Sequence, residues 1–184
     1  NGTQVPVSDP DSASLAAVNI STSTVLRAAA FKNGLRPSNV DTQTYLFLDD
    51  VLDQPAQPPG YPLPWRQRSG NSIPGDFEMD PEIVGRVYSR EELKESLRDI
   101  PTVSIVTDIE NLFDQQTGIQ VNPQDSGPSS ERRGSVELMD FKDGAPIQLD
   151  AGMLMNGNAS RNPGRGKHNF RLAFRNRYGA GKLI

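Results

Sequence analysis

The residues best suited to chemistry sit in one loop, Gly157-Asn158-Ala159-Ser160-Arg161-Asn162-Pro163-Gly164-Arg165-Gly166-Lys167. Its glycines let backbone N–H groups approach an anion, Ser160 offers a hydroxyl, and Arg161, Arg165 and Lys167 supply fixed positive charge. Those are the ingredients of a phosphate cradle. It is not a Walker loop, because the G-x-x-x-x-G-K-[ST] string is missing and His168 follows the lysine. Composition alone favours a flexible basic hairpin.

Other candidates are weaker. His168 is the only histidine, which excludes a zinc site of several imidazoles and rests any Ser-His-Asp triad on one ring; beside its basic neighbours it is expected to face solvent. Asp49, Asp50, Asp53, Asp76 and Asp80 contain no Asp-x-Asp-x-Asp-Gly loop. They read as solvated loop charge, with no metal site. Glu137 alternates with Val136 and Leu138, so an exposed strand position is expected. The alternative is an ion pair with Lys167. Arg165, Arg171, Arg175 and Arg177 form a local basic excess. With a net charge of -4 over the chain, an anionic nucleotide or an acidic partner surface fits it better than nucleic acid.

Several elements would have to position these residues. Val18, Ile20, Val25 to Phe31 and Thr42 to Phe47 are short β-prone runs separated by turn residues, the spacing of an immunoglobulin-type β-sandwich. The alanine run reads as strand, with a short helix as the alternative. Residues 49–88 carry Pro55, Pro58-Pro59-Gly60, Pro62, Pro64, Pro74-Gly75 and Pro81 and hold no regular element for long. Tyr61, Trp65, Phe77 and Met79 make an ordered wrap a better description than a flexible spacer.

Ser89-Arg90-Glu91-Glu92 is a capping box, and Leu93, Leu97 and Ile100 form one apolar stripe before Pro101, so a helix is expected over 89–100. A strand over Thr102 to Asp108, a helical turn or loop at Asn111-Leu112-Phe113, a polar loop over 122–134 and strands over Ser135 to Phe141, Gln148 to Met155 and Asn169 to Arg175 follow. Residues 1–12 read as loop.

Composition sets the limits. Of 184 residues 35% are hydrophobic, and 15 prolines with 16 glycines predict a loop-rich chain of two modest units. Cysteine is absent, which removes disulfides and thiolate sites without fixing a compartment. No run approaches the roughly 20 apolar residues of a membrane span. The chain begins without methionine and stops at Lys182-Leu183-Ile184 after a strand-like run, so both ends are expected to be cut.

Pro101 to Leu183 resembles the N-terminal part of the spore coat protein H (CotH) kinase-like family. The resemblance rests on Pro101-Thr102-Val103-Ser104-Ile105-Val106-Thr107-Asp108, Asn111-Leu112-Phe113, Thr117-Gly118-Ile119 with Val121-Asn122, Glu131-Arg132, Ser135-Val136-Glu137-Leu138, Gly157 with Ser160-Arg161, Lys167, Phe170-Arg171-Leu172 and Tyr178-Gly179. It implies an atypical-kinase-like small lobe that binds ATP with magnesium. Lys167 matches the phosphate lysine, and Gly157, Ser160 and Arg161 the phosphate-side loop. Gly166 stands where a second basic residue is expected and Asn169 where a serine is.

The family's metal-binding and catalytic acids would lie beyond Ile184, so no catalytic or metal residue is assigned and the fragment alone is expected to be inactive. Val18 to Phe47 resembles the last strands of a chitobiase/β-hexosaminidase C-terminal-type domain through Thr24-Val25-Leu26-Arg27-Ala28, Ala30-Phe31-Lys32, Gly34, Pro37-Ser38 and Thr42-Gln43-Thr44-Tyr45.

Together these expectations make a β-dominated α+β chain. A partial immunoglobulin-like sandwich spans 1–48, a Pro-rich linker or wrap 49–88, and the truncated CotH-like part 89–184. The resemblance implies an exported bacterial protein, extracellular or on the cell surface, that phosphorylates a protein or surface substrate in its full form. The alternative is a non-catalytic adhesive or structural module of a surface or exopolymer assembly.

Overall fold

A computed structural model describes residues 17–62, 64–66, 70, 72–139 and 147–179. The readings of residues 1–12, Phe141 and Lys182 to Ile184 lie outside the described residues. The fold is β-dominated α+β, with antiparallel sheets and short helices. Its centre is a four-stranded meander, β5 (Thr102–Val106), β6 (Arg132–Met139), β7 (Ile147–Asn156) and β8 (Asn169–Ala173), in that spatial order.

Register gives the meander two different faces. Val103, Leu138 and Ile147 form one cross-strand row and Ile105, Val136 and Leu149 the next, while Met153 faces Leu172 and Met155 faces Phe170. Paired residues share a face, so this side is apolar. Ile119 is driven against it and forms the core with Met153, Met155, Leu112 and Leu172. The opposite side carries Ser104, Glu137 and Gln148 in one row and Ser135 with Asp150 in the next.

Residues 118–123 are all buried, which corrects the start of the expected polar loop. This segment leaves α3 (Ile109–Phe113) and turns back under the sheet, with the Ile119 and Gln120 amides donating to the Asn111 and Leu112 carbonyls. An added Cβ at Gly118 would lie 2.6 Å from the backbone of Asp114 and Leu112, so only glycine fits this return. The strand that follows begins at Arg132, not Ser135. β5 ends at Val106, Asp108 takes the N-cap position of α3 without a side-chain capping bond, and β8 ends at Ala173, two residues before the expected Arg175.

The helix expected at 89–100 is α2 (Arg90–Arg98), and both bonds of its capping box form. The expected run from Val25 to Phe31 is strand only as β1 (Thr24–Ala28), and the run from Thr42 to Phe47 is β2 (Asp41–Tyr45), which pairs with it. Val18 and Ile20 belong to no strand. The chain then enters α1 (Leu48–Leu52), a helix in a stretch read as Pro-rich linker. No proline occurs between Leu48 and Leu52, and Asp49 and Asp50 lie in the first turn, where acids complement the helix dipole.

Beyond α1, the wrap is ordered by its aromatics. The Tyr61, Trp65, Phe77 and Phe113 rings meet at centroid distances of 5.0–6.0 Å. Trp65 also starts a two-strand ladder, β3 (Trp65–Arg66) with β4 (Ser72–Ile73).

Candidate functional site

The glycine- and arginine-rich loop connects β7 to β8 and is tied down along its length. Gly157 has φ +97°, and an added Cβ there would overlap the Ser160 hydroxyl, so glycine lets the chain fold back on itself. Ser160 Oγ then donates to the Asn156 carbonyl at 2.9 Å, and His168 Nδ1 lies 2.7 Å from the Ser160 carbonyl. Since a carbonyl only accepts, this contact places a proton on Nδ1. Nε2 is buried without a hydrogen-bond partner among the described residues. The expectation of a solvent-facing histidine is thereby corrected: the ring is partly buried and staples the loop.

Gln120 of the buried return and Gln124 just after it hold the rest. Gln120 donates to the Gly166 carbonyl at 2.8 Å, and Arg161 donates to the Gln124 carbonyl at 2.8 Å. Gln124, Asn158, Ala159, Arg161, Asn162 and Pro163 line an open hollow of about 380 Å³.

The expected site residues do not all converge. Gly157 and Ser160 are in contact, and Arg161 reaches the hollow. Lys167 does not line it. Its Nζ pairs with Asp76 of the wrap at 2.7 Å, both side chains being well exposed. The Ser160 hydroxyl hydrogen is committed to Asn156, leaving its oxygen as an acceptor, and Arg161 keeps further guanidinium N–H groups for an anion.

Glu137 overturns the expected exposed strand position and does not pair with Lys167. It is 1% exposed and accepts both the amide of Thr44, at 3.0 Å, and the Thr44 hydroxyl, which also meets Ser104 Oγ at 2.7 Å. Alternation assigned its face correctly; that face is covered by β2.

The basic excess is also partly spent. Arg175 and Arg177 both hold Glu131. Glu131 is extended (φ -82°, ψ 129°) and continues the alternation of β6 onto the Glu137 face. Its side chain is 1% exposed, with Arg175 Nε at 3.1 Å, Arg177 close by and the Tyr178 hydroxyl donating at 2.8 Å.

Burial acts to raise the Glu131 pKa, but the bonds from Arg177, Tyr178 and Arg175 outweigh it and hold the carboxyl below its ordinary range. Burial and the same carboxylate push the Tyr178 phenol up. Gly152 makes the arrangement fit, since an added Cβ there would overlap the Glu131 carboxylate. The available sequence signal was an acid directly before a strand and two arginines just after the end of the sheet.

The aspartates read as solvated have partners as well. Asp53 accepts from Arg90 at 2.7 and 2.8 Å, and Asp49 accepts from Lys94 at 3.1 Å and Arg90 at 3.3 Å. Asp50 accepts the Ser23 amide, and Asp80 accepts the Glu82 amide at 2.8 Å. Among the described residues no group of three or more histidines and acids could hold a metal ion, and no helix is long and apolar enough to cross a membrane. No model of a known protein family matches the chain, and no curated protein or solved structure matches it either.

Proposed function

We propose that the chain is the phosphate-binding part of a CotH-like kinase, in which residues 89–184 contribute the small lobe and residues 1–48 the end of an immunoglobulin-like sandwich. The carrying observation is the β7–β8 connection. Four hydrogen bonds tie it down, three of them at its own backbone carbonyls, while Lys167 remains exposed at its rim. A loop held in one shape loses little freedom when an anion binds, and a lysine ammonium then acts as a point charge on phosphate oxygens.

In this reading Lys167 neutralises phosphate oxygens of ATP, and Arg161 offers a second cation beside the hollow. Gly157 permits the fold-back that sets Ser160. In this reading magnesium and proton transfer fall to acids further along the family's domain than the part this chain resembles, so catalysis on a protein or surface substrate is a property of that whole domain. Extracellular placement comes with the CotH resemblance and is part of the same proposal.

The test is calorimetric titration of magnesium-ATP into the full-length protein and its Lys167→Ala variant. Removing this cation from a phosphate contact is expected to weaken binding by about tenfold or more in a variant that still folds. If the folded wild-type protein does not bind, the adhesive or structural module becomes the better account. A specific observation favours that second reading: edge strand β5 presents Val103 and Ile105, 53% and 38% exposed, on the apolar face. An open apolar strand edge suits a partner surface.

A further inference from the structure

The wrap and the phosphate loop meet at one place. Ile73 and the Pro74 carbonyl press on Gly166, where an added Cβ would lie 3.2 Å from Ile73 Cγ2 and 3.7 Å from the carbonyl oxygen. A side chain at 166 is therefore crowded by the wrap. Gly75 is buried, and the next residue, Asp76, sets its carboxylate 2.7 Å from Lys167 Nζ. Phe77 is locked between Tyr61 at 5.0 Å and Trp65 at 5.2 Å, and its carbonyl accepts from Gln54 at 2.6 Å. Asp76 is thus held between anchors on both sides.

We infer that Asp76 is a built-in competitor for the anion at Lys167, so that the Pro-rich wrap acts as a brake on the phosphate site. The inference rests on the reading of Lys167 as a phosphate lysine. A phosphate reaching Nζ must displace the carboxylate or share the ammonium with it, and two anions on one cation repel. The pair is 71% and 60% exposed. Exposed pairs are weak, so the brake is graded and releases without unfolding the wrap.

The test uses the full-length protein and two probes, magnesium-ATP and inorganic tripolyphosphate without magnesium. Asp76→Asn is expected to tighten both by roughly two- to fivefold. Asp80→Asn removes the same charge from the same wrap without the contact and is expected to change neither. In the Lys167→Ala background, Asp76→Asn is expected to have no effect.

Equal tightening by Asp80→Asn would reduce the effect to general charge and overturn the brake. Unchanged or weaker binding by Asp76→Asn, with wild-type binding still dependent on Lys167, would overturn the brake and leave the phosphate reading standing. Weakening of magnesium-ATP alone would make Asp76 a participant in metal binding and likewise overturn it. If neither the folded wild-type nor Asp76→Asn protein binds either probe, the phosphate reading fails and the brake falls with it.

Discussion

Glu131 and Glu137 lie on the same face of the meander, one just before β6 and one near its far end, and both are buried. Their partners differ. Glu131 is met by two guanidinium groups and a phenol from the turn after β8, whereas Glu137 is met by the amide and hydroxyl of Thr44 from another sheet. One carboxylate closes the meander on itself through charge. The other fastens the β1–β2 hairpin to the meander through neutral donors. Burial of an acid therefore serves two purposes here: the first stabilises one unit, and the second specifies how two units dock.

The comparison breaks most visibly at Glu131. Glu131→Ala leaves Arg175 and Arg177 without their shared acceptor, and removing one partner of a buried ion pair costs several kcal/mol. Both arginines are about half exposed and can rehydrate, so the loss is expected at about 2–4 kcal/mol in urea unfolding. Gly152→Ala is expected to cost about as much, because its Cβ overlaps the same carboxylate. The double variant should be clearly more stable than the sum of the two, since truncating Glu131 removes the overlap. Full additivity would mean that Gly152 serves something other than seating Glu131.

At Glu137 the effect should be smaller and local. Glu137→Ala leaves the Thr44 amide and hydroxyl without this acceptor, at a cost of about 1–3 kcal/mol. Trypsin cleavage at Lys32, exposed in the hairpin connection, is expected to accelerate before the meander unfolds. Simultaneous loss of hairpin and meander would show that the two are one cooperative unit, and the contrast with Glu131 would dissolve.

Acid sharpens the difference further. Glu131 has its folded-state pKa held below its ordinary 4.5. Its stabilisation is fully present above that ordinary value and is lost as pH falls through the lower folded-state value. Wild-type stability should therefore decline on going below about pH 4.5, and Glu131→Gln should show a shallower decline. Equal slopes in urea midpoints measured across this range would remove Glu131 from the acid transition.

Much of this architecture was legible in the sequence and much of the site was not, for a consistent reason. The capping box at Ser89, the alternation of β6 and β7 and the aromatic wrap are local patterns, and each element they signal is present. What covers a face is not a local pattern. Glu137 looked wet because its own strand placed it opposite Val136, and only β2, more than ninety residues earlier, makes it buried. Arg175 and Arg177 looked free because their acceptor lies 44 and 46 residues away. The loop at 157–168 showed its composition, but not that Lys167 would face Asp76 instead of the hollow beside Arg161.

The smallest expected effect lies where charge is plentiful and burial is slight. Asp49 of α1 and Asp53 at its C-cap receive Arg90 and Lys94 of α2, and those bonds lower both aspartate pKa values, through Lys94 first at Asp49 and through Arg90 at Asp53. The sign in acid is the same as for Glu131, with the loss setting in below the ordinary value of 3.8. Water and salt screen this contact far more, because both aspartates are over 60% exposed. Arg90→Ala should therefore shift the urea midpoint only slightly at low ionic strength, and the shift should largely vanish in roughly 1 M salt. A loss that survives high salt would show that Arg90 holds α1 by packing of its aliphatic stem, making this helix pair resemble the Glu137 junction more than a screened surface contact.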